Sequence, residues 1–477
     1  MNQFLSYKWY LGLFTGVSII VACGTQKAPS YTGEGQIIGS GETKALVHPE
    51  WSKNATIYEV NIRQHTPEGT FNAFSKDIPR LKGMGVDILW LMPIHPIGII
   101  NRKTSETSMG SHYSVRDYMA VNPDYGSMDD FKNLVRTAHS NGMRVIIDWV
   151  ANHSAFDNVW TETHLEYYLL DTAGKIQPPL GTDWTDVAQL NFESKPLWPA
   201  MINALKFWVK ECDIDGYRCD VAMKVPTPFW NDARAALDSI KPVFMLAEAE
   251  QKDQHEKAFD MSYAWEFMHI CNELAQGKKP LTELDEYIAR QDSAFPRSAY
   301  RMYFTTNHDE NSWNGTGYER HGNARQVFDV LAFTLAGMPL MYSGQEGGEQ
   351  YPDGKAHRLR FFEKDTVNWN NYKYQDFYSR LMHLHREHAA MWNGEFGGDF
   401  KKLKTSSDDV LYCYRRTNGA DEVLVLLNFS GKPQSVDFLE DMPEQQFKSI
   451  FNSETLTLYT KGSKELPAYG YQVFVRG

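Results

Sequence analysis

An eight-stranded βα barrel, with one loop domain inserted after its third strand and a small antiparallel β-sandwich domain after it, is the fold this sequence predicts. Three observations predict it. Eight short apolar runs recur through the middle of the chain with amphipathic stretches of helical period between them. One interval among them is too long and too polar for an ordinary connection. Beyond about residue 396 the helical period gives way to strict alternation.

Taken in chain order, the first segment is a targeting signal. Lys8 precedes an apolar run from Trp9 to Ala22 broken only by Gly, Thr and Ser. A membrane-spanning helix needs ~20 such residues, whereas this length suits the apolar part of a signal peptide. Ile20-Val21-Ala22-Cys23 resembles a bacterial lipobox, in which a small residue admits the signal peptidase and the cysteine thiol takes the lipid. Residues 1–22 are thus expected to be removed and Cys23 lipidated. Residues 23–50 carry Gly24, Gly33, Gly35, Gly39 and Gly41 without any period and read as a flexible tether. The expectation is a soluble body anchored to a membrane of the bacterial cell envelope. One acyl chain alone binds weakly, so several are expected.

The barrel spans 51–396. Its strand candidates are Thr56–Ile62, Val86–Pro93, Arg144–Val150, Ile214–Ala222, Val243–Ala249, Phe259–Trp265, Tyr300–Thr306 and Pro339–Tyr342. Strands buried on both faces read as continuous apolar runs, and eight is the number that closes a βα barrel. Phe74–Met84, Met128–Asn141 and Leu197–Glu211 are helices by their period. The long interval, about 152–196, leaves the C-terminal end of the third strand, the rim where barrel sites gather. In the last domain, 397–477, Val410–Tyr414 and Val423–Leu427 flank Asn418-Gly419, a hairpin signature.

Composition removes several functions. Lys and Arg total 48 against 60 Asp and Glu, a net charge of −12 that repels nucleic acid phosphates. The five cysteines form no CxxC pair and no zinc spacing. No metal site and no disulfide framework is read from them.

The chemistry lies at the strand ends. The third strand ends in Asp148-Trp-Val-Ala-Asn152-His153, the fourth in Gly216-Tyr-Arg218-Cys-Asp220, the fifth in Ala247-Glu248 and the seventh in Asn307-His308-Asp309. Arg218 and Asp220, two apart on one strand, share a face, so Arg218 can hold Asp220 ionised. Glu248 stays protonated if the site is dry and other carboxylates are near. Two carboxyl groups with split pKa values, ~5–5.5 Å apart, are the apparatus of a retaining glycosidase.

These segments resemble the alpha-amylase family, glycoside hydrolase family 13, in order along nearly the whole mature chain. Gly337–Glu346 and Gln189-Leu190-Asn191 resemble two further family motifs. The resemblance implies that Asp220 is the nucleophile, Glu248 the acid and base, and Asp309 the residue that grips the hydroxyls of the sugar being cleaved. It implies that Tyr113 stacks under that sugar, that His153 and His308 hydrogen-bond it, and that Arg218 positions Asp220. No cofactor is required. A structural calcium at Asn152 with Asp183 or Asp186 stays open, because Met223-Lys224 stands where many members have Lys-His. The Lys224 ammonium pairing with those acids is the other reading. The expected function is hydrolysis of α-1,4 bonds in starch or maltooligosaccharides. The alternatives are a neopullulanase or cyclomaltodextrinase, an α-glucosidase, a transglycosylase, or a surface glycan-binding protein that has lost catalysis. The last domain is expected to brace the barrel. Oligomeric state is not read from the sequence.

Overall fold

The structure is a computed structural model and describes residues 46–476, apart from 104, 106, 441–443 and 459–462. The signal peptide, Cys23 and most of the tether lie outside the described residues. Its end does not: His48 Nδ1 meets Asp260 Oδ1 at 2.8 Å and its ring stacks on Tyr300 at 4.4 Å, so residues 46–50 pack against the barrel. Among the described residues no helix is long and apolar enough to cross a membrane.

All eight strand candidates form strands, and they close into one parallel barrel in chain order. They are β1 (Ile57–Val60), β2 (Ile88–Leu91), β3 (Arg144–Trp149), β4 (Gly216–Cys219), β5 (Phe244–Ala247), β6 (Met261–Tyr263), β7 (Tyr300–Tyr303) and β8 (Met338–Tyr342). Ile57 of β1 pairs with Ile88 on one side and Leu340 on the other, which completes the ring. Alternate residues such as Ile57, Trp90, Ile146, Phe244 and Leu340 fill the interior, while Tyr58, Leu89, Val145 and Met245 pack outward on the helices. Both faces are therefore dry, and this is why the strands read as unbroken apolar runs. Gly216 opens β4 because its neighbour demands it: a Cβ there would lie 1.8 Å from the Phe244 carbonyl oxygen.

The helices follow the period except where proline intervenes. The stretch 74–84 splits into Phe71–Ser75 and Ile78–Met84, since Pro79 has no N–H to continue the first helix and sits instead in the opening turn of the second. Met128–Ser140 starts on a Ser127–Asp130 capping box. The insertion is nearly all loop, pinned by a two-stranded ladder of His153–Ser154 with Ala188–Gln189.

In the last domain a six-stranded antiparallel sheet faces a two-stranded one, enclosing Leu403, Leu411, Cys413, Leu424 and Leu426. Its hairpin Leu411–Asn418 to Asp421–Asn428 turns on Gly419 and Ala420, one residue later than the Asn-Gly pair suggests, with Gly419 at φ +62°. The other sheet face packs on the barrel's helices. Phe429 meets Phe328 at 5.0 Å, Tyr471 meets Phe377 at 5.5 Å, and the Tyr412 hydroxyl donates to Asp285 at 2.8 Å. These contacts brace the barrel.

Candidate active site

The C-terminal rim of the barrel gathers the charged residues of five strands around one guanidinium. Arg218, from β4, is completely buried, and its Nη1 donates to both oxygens of Asp148 at 2.8 and 3.0 Å and to Asp220 Oδ1 at 3.1 Å. Its Nη2 lies 2.8 Å from Glu248 Oε2, and its Nε donates to the Tyr263 hydroxyl at 3.1 Å. The sequence reading assigned Arg218 to Asp220 alone. The structure divides it among three carboxylates, which weakens its hold on any one.

That division shows in the protonation of the site. Burial pushes Asp220 well above the usual carboxylate range; Arg218 opposes this, and Glu248, Asp148 and Asp309 add to it. Burial raises Glu248 as well, with Arg218 opposing and Asp309 adding. Both carboxyls are thus shifted toward holding a proton, and an ionised carboxylate beside a protonated one is what double displacement at a sugar requires.

Backbone geometry ties the two acids together. Glu248 Oε2 accepts from the N–H of Val221, the residue after Asp220, at 2.7 Å. Val221 makes this bond in the left-handed region, at φ +35° and ψ +46°. A β-branched residue seldom goes there, and strain of this kind gathers at functional sites.

Tyr113, from the loop after β2, is buried. Its hydroxyl donates to Asp148 Oδ2 at 3.1 Å and lies 2.8 Å from His308 Nε2, and the two rings stack at 5.5 Å. His308 Nδ1 is paired with Glu59 of β1 through a very short bond. Burial pulls His308 down, but Asp309 and Glu59 push it up to about 9, so it is an imidazolium at neutral pH. Asp309 itself is half-buried, its Oδ2 3.4 Å from His308 Nε2. His153 is the opposite case: burial, with Lys224 adding, brings it to about 3 and keeps the ring neutral.

The donors considered for calcium do not converge. Asn152 Oδ1 accepts from Gln189 at 3.2 Å, and Asp183 is exposed. The side chain beside Asp186 is Lys103 and not Lys224. Lys103 Nζ lies 3.8 Å from Asp186 Oδ1 and donates to the Asp183 carbonyl at 3.2 Å. Lys224 lies over the Trp184 ring at 4.7 Å instead. The residues present do not fit a hard cation, which needs six to eight oxygens around one point.

Sequence reading placed Tyr113, His153, Arg218, Asp220, Glu248, His308 and Asp309 at this site, and gave Asp148, in the third-strand segment, no role. It missed Glu59, Tyr263 and Lys103. A signal existed for Glu59, a lone carboxylate inside an apolar run. Tyr263 and Lys103 carried none. It also passed over an aromatic wall, in which Phe361 stacks on Tyr113 at 6.1 Å and Trp313 lies 5.2 Å from Phe361.

A buried barrel with paired carboxyl groups at its C-terminal rim defines a glycoside-cleaving or glycoside-transferring enzyme. The profile described as "Alpha amylase, catalytic domain" matches residues 46–184 and 180–402, and the chain belongs to the alpha-amylase family. It is 26% identical over 404 residues to Alpha-amylase MalA of Haloarcula japonica, covering 81% of this chain and 57% of that protein's length. It is 27% identical over 445 residues to an alpha-1,4-glucan:maltose-1-phosphate maltosyltransferase of Picrophilus torridus, covering 86% of this chain and 66% of that one. The crystal structure of a noncanonic maltogenic alpha-amylase, AmyB from Thermotoga neapolitana, superposes with TM-score 0.79 at 28% identity, covering 89% of this chain and 98% of that one.

Proposed function

We propose that the enzyme hydrolyses α-1,4-glucosidic bonds of starch-like glucans or maltooligosaccharides with retention of configuration. Asp220 attacks the anomeric carbon as Glu248 gives its proton to the departing glycosidic oxygen, leaving a glycosyl ester on Asp220 and a carboxylate at Glu248. Glu248 then takes a proton from water, whose oxygen displaces Asp220 from the opposite face. Tyr113 forms the floor under the reacting sugar, and Asp309, His153 and His308 hold its hydroxyls. Arg218 orients both acids.

The observation that carries this reading is the coupling of Asp220 to Glu248 through one guanidinium and the Val221 N–H. A protein that only bound glycans has no need of it. The deciding experiment is product analysis on amylose, pullulan, cyclodextrin and maltose with the anomer of the first product observed. The reading expects the α-anomer, and loss of turnover by several orders of magnitude in Asp220→Asn with folding and glucan binding kept. A β-anomer, or activity in Asp220→Asn like that of the unaltered enzyme, overturns it. Release from no substrate favours the binding protein.

A second reading has a sugar hydroxyl, not water, take the glycosyl group, and the Picrophilus relative's name supports it. Products longer than the substrate would identify it. The lipobox-like Ile20–Cys23 supports anchoring of the enzyme in the bacterial cell envelope, tested by acyl labelling of Cys23→Ser against the unaltered chain.

A further inference from the structure

Glu59 takes no part in the steps above, yet its carboxylate ends inside the site. It lies on β1 between Tyr58 and Val60 and is completely buried. Burying an ionisable group is costly unless something answers it. The answer is His308, whose Nδ1 pairs with Oε1, while Oε2 has no hydrogen-bond partner among the described residues.

The bonds beyond His308 have a fixed direction. Asp148 is held by Arg218 through both oxygens and accepts from the Tyr113 hydroxyl at 3.1 Å. Since that proton is committed to Asp148, the Tyr113 oxygen accepts from His308 Nε2, 2.8 Å away. Nε2 therefore carries hydrogen, and Nδ1 carries one too when Glu59 is ionised; burial raises the Glu59 carboxyl, and His308 first and Arg218 next oppose this. The chain runs one way from Glu59 to Asp148. A neutral ring with hydrogen on Nδ1 alone would reverse the Tyr113 bond and leave Asp148 to Arg218 and the Trp90 Nε1–H, which donates to its Oδ2 at 3.2 Å.

We infer that Glu59 is a positioning residue: it keeps His308 doubly protonated and, through that chain, fixes Tyr113 beneath the sugar being cleaved. The role of Tyr113 rests on the function proposed above. Besides Glu59, the groups facing His308 are Asp309 on its own segment, Tyr113 and His112 from the loop after β2, Asp148 from β3, Arg218 from β4 and Glu248 from β5. Burial and Arg218 disfavour the imidazolium, the carboxylates favour it, and burial lowers His112 well below its ordinary range.

The test is Glu59→Gln in the full chain, which keeps an acceptor oxygen for Nδ1 and removes the charge. Nitrogen-15 shifts of labelled histidine, with His308 assigned by its loss in His308→Gln, should show both ring nitrogens protonated in the unaltered enzyme at about pH 7, and titration near the ordinary value of ~6.5 in Glu59→Gln. On maltooligosaccharides kcat/KM should fall about tenfold or more at about pH 8, where the variant's ring is neutral, and less than about threefold near pH 5.5, where it charges unaided. Tyr113→Phe added to Glu59→Gln should lower the pH 8 value little further. A singly protonated His308 in the unaltered enzyme overturns the inference even if Glu59→Gln fails to fold. So does an equal loss at both pH values. An enzyme that cleaves no glucan would defeat the functional reading and leave the nitrogen shifts to decide this one.

Discussion

Nη1 of Arg218 donates to both carboxylate oxygens of Asp148, at 2.8 and 3.0 Å, with both residues buried. The same guanidinium reaches Asp220, Glu248 and Tyr263, so it joins four strands of the barrel rim. A lysine keeps the charge and loses the fork. Arg218→Lys is therefore expected to lower kcat by about a hundredfold or more and stability by about 3–5 kcal/mol, the usual result of breaking a buried pair. Single-turnover kinetics and urea unfolding check it; a kcat near that of the unaltered enzyme would show that charge alone suffices.

Lys103 joins three segments of the cleft. Its ammonium sits by Asp186 and the Asp183 carbonyl of the insertion, and over the Phe362 ring at 5.8 Å. An ammonium there supplies the positive charge that a divalent ion would otherwise bring. Excess EDTA is expected to leave the melting temperature and activity unchanged. Lys103→Met is expected to speed limited proteolysis of 152–196 while the barrel's unfolding shifts by under about 1 kcal/mol, because the lysine is partly exposed and such pairs are weak. Loss of activity in EDTA, restored by calcium, would contradict this.

Every barrel strand was legible because burial on both faces leaves an uninterrupted apolar run, from Ile57–Val60 to Met338–Tyr342. The rim residues were legible for a related reason: Asp220 and Glu248 directly follow the strands Gly216–Cys219 and Phe244–Ala247, and Asp309 lies just past Tyr300–Tyr303. Glu59 was hidden by the same logic, since one acid inside a run does not break it, and its partner His308 lies 249 residues away. Lys103 and Trp184 come from loops with no period, where only the folded chain decides which side chains meet.

Trp313 belongs to that illegible class. It is 53% exposed on a π-helical turn, Glu310–Asn314, that follows Asp309 directly. Such turns recur at functional sites. Its ring lies against Phe361, which stacks on Tyr113, so the aromatic surface continues outward from the reacting sugar. Trp313→Ala is expected to raise KM about tenfold for long maltooligosaccharides, roughly the loss of one buried aromatic contact, and to leave kcat and the shortest cleaved substrate almost unaffected. A uniform loss across chain lengths would make Trp313 structural only.

His385 lies in the helix Gln375–Glu387, completely buried, and burial first and Arg416 second bring it to about 3. The ring is neutral in the fold, whereas the unfolded chain takes a proton below ~6.5, so stability falls as pH drops through the window from ~6.5 to about 3. His95, His153 and His255, lowered to about 4, 3 and 3 chiefly by burial, act with the same sign. Asp220 and Glu248 act oppositely, because their raised carboxyls take protons in the fold before the unfolded chain does. His308, raised to about 9, adds stability that is full below ~6.5 and is lost as pH rises through about 9. The fold should therefore be most stable near neutrality and unfold in mild acid. His385→Leu isolates one contribution: relative to the unaltered chain it should gain ~2 kcal/mol between pH 6.5 and pH 5, at ~1.4 kcal/mol per pH unit, whatever packing difference it shows at pH 8. Urea unfolding at the three pH values measures this, and a gap independent of pH would mean that His385 charges within the fold.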